Sequence, residues 1–196
     1  MATMVAPKPA VRGRSTPVRR IGWHLLGLLL TALPTGALVG WLGSLLPDVP
    51  AVWSFGIWAV VAAAYGMHEM RLITLPHPQR MRQVPAGWRR KYQPRIVAFA
   101  YGLLIGPGYL IFIRTTAFYL LNLGVLLAGS PVLGATGWAI VAVCRIVPSV
   151  LALPSARRGD LNDHLIRTMG LDNPARLVCG GALALLAGHV LLLVLT

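Results

Sequence analysis

Residues 96–129 read IVAFAYGLLIGPGYLIFIRTTAFYLLNLGVLLAG, 34 residues with a single charge, Arg114. A continuous helix of that length would reach about 51 Å at 1.5 Å per residue. The hydrocarbon core of a bilayer is about 30 Å thick and needs roughly 20 helical residues. The stretch is therefore too long for one straight crossing, and Gly106-Pro107-Gly108 and Arg114-Thr115-Thr116 are where it can break. Division there predicts helices over 96–113 and 115–129, the second short enough to be a tilted span or a re-entrant arm.

The rest of the chain divides by the same ruler. Apolar runs at 21–46, 51–70, 131–153 and 175–195 each reach or approach crossing length. The fold class that follows is all-α: a polytopic helical membrane bundle of five or six crossings, with six preferred. Composition agrees, since 56% of the 196 residues are hydrophobic, 12% are charged, and mean hydropathy is +0.69. So few charges cannot clothe a water-soluble domain of this size.

The 18 Lys and Arg against 5 Asp and Glu, with a pI near 11.4, raise the question of nucleic acid. Their placement answers it. Most lie in two blocks, Lys8–Arg20 and Arg71–Arg95, each beside an apolar run, as juxtamembrane cations that face the cytoplasm and anionic lipid headgroups do. Residues 1–20 read as a disordered basic cytoplasmic tail, and the proline-punctuated 71–95 as a cytoplasmic basic loop. A plasma (inner) membrane protein with a cytoplasmic N-terminus results. Residues 21–46 are longer than the apolar core of a signal peptide and lack a small-residue cleavage site, so they read as a retained first helix. With six crossings Arg157, Arg158, Arg167 and Arg176 fall outside; with five they fall inside. Between crossings five and six, Leu161, Leu165 and Met169 recur at helical spacing among charges, the pattern of a short interfacial helix.

Arg145 is the most informative single residue. It sits mid-segment in WAIVAVCRIVPSVLAL, where an arginine costs about 2.5–3.5 kcal/mol on insertion scales and must face the bundle or a wet cavity. Pro148, one turn on, frees backbone carbonyls that a guanidinium can satisfy. Arg145 thus reads either as a substrate group or as a structural donor. With Gly106, Pro107, Gly108, Arg114 and Pro148 it makes the candidate site, since broken helices at mid-depth are where transporters bind substrate. Glu69, the only acid in the first four segments, follows His68 at the end of segment two, and both read as interfacial. His24 and His189 read as packing or interfacial residues.

Cys144 and Cys179 lie in separate apolar segments with no metal-ligand spacing. They are candidate redox thiols if their segments cross at matching depth, and buried structural thiols otherwise. No phosphate-binding, hydrolase, zinc or dinucleotide motif is present, so the sequence implies no cofactor, no metal and no enzyme of a soluble type.

Three patterns, Arg82-x-Val-Pro-x-x-Trp88, Ala98-x-x-Tyr-Gly-x-x-x-Gly-x-Gly108 and Arg145-x-x-Pro148, give the chain a resemblance. It is similar to small actinobacterial-type membrane proteins related to the cytochrome c biogenesis and DsbD-type thiol-reductant transporters. The resemblance implies six helices in two inverted three-helix repeats, and passage of reducing equivalents through two membrane cysteines to a thioredoxin-like partner. Those cysteines belong beside a proline in the first helix of each repeat. Segment one here has Leu33-Pro34 without a cysteine, so the dithiol role attaches to no residue. The functional expectation is a transporter-like or redox-relay accessory protein. The alternative is a non-catalytic scaffold that docks another membrane protein through its glycine-rich faces.

Overall fold

The computed structural model describes residues 16–47, 49–76, 87–108 and 115–195, with the backbone alone for Arg89 and Arg90. The described residues form nine helices and no strand. They are α1 (Pro17–Ser44), α2 (Ala51–Glu69), α3 (Trp88–Lys91), α4 (Pro94–Ile105), α5 (Ala117–Ala128), α6 (Pro131–Leu151), α7 (Leu153–Arg158), α8 (Leu161–Gly170) and α9 (Asp172–Leu195). Four stretches are long and apolar enough to cross a membrane: α1, α2, α6 with α7, and α9. The protein is a helical membrane protein. Its large aliphatic side chains are widely exposed, as lipid contact requires.

Two boundaries move from the sequence reading. The tail expected over 1–20 gives way to helix at Pro17, because Thr16 caps it: its hydroxyl accepts from the Arg19 N–H at 3.4 Å, and proline is well suited to the first helical position. The helix expected over 96–113 begins at Pro94 and stops at Ile105. Pro107 has no N–H for the Leu103 carbonyl, so the ladder cannot continue. Gly108 then takes φ +73°, a left-handed value that glycine adopts without steric penalty.

The chain divides into two compact units: Met1–Thr35 with Arg80–Phe112 and Trp138–Met169, and Gly36–Gln79 with Ile113–Gly137 and Gly170–Thr196. In the first, the early part of α1 runs parallel to α4. A Cβ on Gly102 would strike the His24 carbonyl oxygen and stand 2.8 Å from Leu28 N, so only glycine allows the backbones this close. His24, 1% exposed, donates from Nδ1 to Ala98 O at 3.1 Å, which fixes its tautomer. Trp138, Ala142, Ile146 and Ser149 form the buried face of the later part of α6, and Ala152, just before α7, is buried too.

In the second unit α2 and α9 pack antiparallel through Gly66 and Gly180. Ala59, Ala62, Leu120 and Ala187 make the core, and Trp58 Nε1 donates to Leu120 O at 3.0 Å, tying α2 to α5. The end of α2 closes in a paired turn: Leu72 N–H donates to Met67 O and Arg71 N–H to His68 O, both at 3.0 Å. Arg71 occupies the left-handed position there at φ +61°, unusual for a non-glycine residue.

Candidate functional site: two charged helix ends

The interruption between α4 and α5 leaves two helix ends inside apolar sequence, and each meets a charge of opposite sign to its own dipole. At the C-terminus of α4, Arg145 Nη1 donates to Ile105 O at 2.6 Å. The same carbonyl accepts from Gly108 N at 3.0 Å. The Leu103 carbonyl, which Pro107 deprives of its ladder donor, lies 3.2 Å from the Thr31 hydroxyl of α1. That hydroxyl is also 3.1 Å from Gly27 O, so one proton serves both acceptors. The guanidinium sits where the partial negative charge of a helix terminus is concentrated.

Arg145 thus meets Ile105, the residue before Gly106-Pro107-Gly108, within the first unit. α6 runs through Pro148 unbroken, and the Ile105 carbonyl that Arg145 meets belongs to α4. Arg114 lies outside the described residues. One turn beyond Arg145, Ser149 is 2% exposed and its Oγ has no hydrogen-bond partner among the described residues.

At the N-terminus of α5, in the second unit, stands Glu69. Its Oε1 accepts from the Thr116 backbone N–H at 2.7 Å and from the Thr116 hydroxyl at 2.9 Å. Its Oε2 accepts from Arg176 Nε at 2.9 Å, a salt bridge in which Glu69 is fully buried and Arg176 about one quarter exposed. A carboxylate at a helix N-terminus complements the dipole there. This one residue joins α2, α5 and α9.

Glu69, read from the sequence as interfacial, is buried among protein groups. The available signal was that it is the only acid in the first four segments, and an ionisable residue inside a membrane segment faces protein. His68, beside it, is half-buried, and its Nδ1 accepts from Leu75 N at 3.0 Å in the turn after α2. The start of α9 is fastened to the same turn, where Arg71 Nη2 donates to Asn173 Oδ1 at 2.6 Å.

Both cysteines are free thiols, Cys144 exposed in the first unit and Cys179 half-buried in the second. His24 is a packing residue, as read, and His189 is exposed on α9. No group of three or more His, Cys, Asp or Glu side chains among the described residues is placed to hold a metal ion.

These features define a class: a multi-pass helical membrane protein with an interrupted apolar region whose two ends carry counter-charges. Comparison with known proteins adds relatives. The methylamine utilization protein MauF of Paracoccus versutus is 35% identical over 109 residues, which cover 55% of this chain and 40% of that protein. The MauF proteins of Paracoccus denitrificans and Methylophilus methylotrophus are 30% and 29% identical over 137 and 126 residues, covering 67% and 64% of this chain. The chain spans less than half the length of these curated relatives, 48% and 44% for the last two. No family model matches the chain, and no solved structure matches it.

Proposed function

We propose that this chain is an accessory membrane protein of amine utilisation that works through the interruption between α4 and α5, as a transporter-like element or a redox relay. The observation that carries the reading is the Arg145 to Ile105 contact, which puts the arginine of one apolar helix on the broken end of another. Interrupted helices with charged partners are how transporters build sites at mid-depth. The methylamine utilization of the relatives supplies the physiological setting. In the relay form, Cys144 or Cys179 as thiolate attacks a disulfide of a thioredoxin-like partner, forming a mixed disulfide and releasing the partner's second thiol.

The same reading includes five crossings in the plasma membrane. α4 and α5 have 12 residues each, about 18 Å, and neither alone spans about 30 Å. The end of α2 and the start of α9 meet through Glu69 with Arg176 and Arg71 with Asn173, so they lie at one membrane face. An even number of crossings must separate them. α6 makes one, and the stretch that holds α4 and α5 carries the chain across once more. Tail, basic loop and Arg157, Arg158, Arg167 and Arg176 then share the cytoplasmic side, as the positive-inside rule asks.

One observation favours a second reading, the non-catalytic scaffold: Arg145 and Glu69 both have protein partners already, as purely structural charges do. Growth on methylamine in the native host separates the readings. With the gene deleted and restored as Arg145→Leu, lost growth with normal membrane levels of protein supports a working site. Normal growth leaves the scaffold. Alkylation of Cys144 and Cys179 in intact membranes, with and without reductant, tests the relay, which redox-insensitive thiols exclude.

A further inference from the structure

α8 is amphipathic, yet it buries no residue fully. Leu161, Leu165 and Met169 fall on one stripe of the helix, since positions four and eight residues apart share a face, and Ile166, three residues before Met169, flanks its edge. Asp163, Arg167 and Gly170 lie opposite. One edge of the stripe is accounted for: Leu161 packs on Ala152, as Tyr101 does, and Leu165 is half-buried. The other edge is bare, with Ile166 62% and Met169 68% exposed.

We propose that this bare edge rests in the bilayer, and that α8 is a strap lying along the headgroup layer with Ile166 and Met169 in the acyl boundary. The occupant follows from how the segment is tied. α7 follows α6 directly, α9 begins two residues after α8, and α6 with α7 and α9 are long and apolar enough to cross the membrane. A helix fastened to crossing helices at both ends is held at the membrane surface. A short amphipathic helix at that level buries its apolar edge in lipid and keeps its charges at the headgroups. Arg157 and Arg158, exposed at the end of α7, stand at the same end of the strap and suit lipid phosphates. The inference uses only the crossing of these helices, so it stands apart from the transporter or relay reading.

The test uses the full chain in vesicles of phosphatidylcholine and phosphatidylglycerol, with Cys144 and Cys179 replaced by serine. Single cysteines at positions 163, 166, 167 and 169 carry a bimane fluorophore. Lipids bearing a shallow spin label should quench positions 166 and 169, and iodide should quench those two severalfold less than 163 and 167. Equal iodide quenching at all four overturns the strap by placing α8 in water. Shielding of 166 and 169 from both quenchers also overturns it, because a protein partner or a second copy then covers the edge. A second measurement keeps the wild-type chain: a lipid with a carbene-generating group near its headgroup should crosslink within 161–170, and its failure to do so refutes the proposal.

Discussion

Replacing Glu69 removes one carboxylate and three hydrogen bonds, and the structure says which of them matter. In Glu69→Ala the Thr116 N–H loses its acceptor where Thr116 is only 2% exposed, and an unsatisfied buried donor costs about 1–3 kcal/mol. The Thr116 hydroxyl can rotate and recovers part of its loss. Arg176, about one quarter exposed, can turn toward water or headgroups, so its share is at most about 1 kcal/mol. The sum, about 1–4 kcal/mol before the hydroxyl's share, overlaps the roughly 3–5 kcal/mol that breaking one side of a buried ion pair usually costs. Arg176→Ala leaves the buried carboxylate with Thr116 and, among the described residues, no counter-charge, and should fall in the same range. Glu69→Leu with Arg176→Leu removes both charges together and should recover much of the loss, leaving mainly the unpaired Thr116 N–H. The assay is the midpoint of thermal aggregation in detergent, read by gel filtration, for wild type, both single replacements and the double one. A Glu69→Ala protein that melts with wild type would refute the reasoning, as would a double replacement no more stable than either single one.

Three further outcomes are expected. Gly102→Ala drives a methyl group into the α1 backbone, which cannot give way as a flexible side chain can. It should lose at least the roughly 1–3 kcal/mol typical of overpacking, whereas Gly181→Ala, with nothing within 4 Å, should leave the melting midpoint unchanged. Ser149→Ala removes a buried hydroxyl that has no partner among the described residues, so its stability should equal wild type or exceed it by up to about 1 kcal/mol in the same melt. With five crossings, alkaline phosphatase fused after Thr196 should be active and green fluorescent protein fused there dark, and the reverse pattern would establish an even number.

The sequence by itself determined the class of protein, because apolar content and helical length are local properties that water and lipid read residue by residue. It also located the helix break, since Pro107 lacks an N–H in any environment. It singled out Arg145, because a guanidinium in apolar sequence must find a partner. Which partner was beyond it. Pro148 was the nearest source of free carbonyls along the chain, but the acceptor is Ile105, 40 residues away on another helix. Glu69 shows the same limit more sharply. Next to His68 and two residues before Arg71 it looks like the polar rim of a membrane helix, and nothing local distinguishes rim from interior. Its burial follows from α5 and α9 meeting at the end of α2, where glycines let the α2 and α9 backbones close in. Only the tertiary structure decides that, because whether a charge sits in solvent or protein depends on which helices are neighbours, and neighbours are set by packing between distant segments.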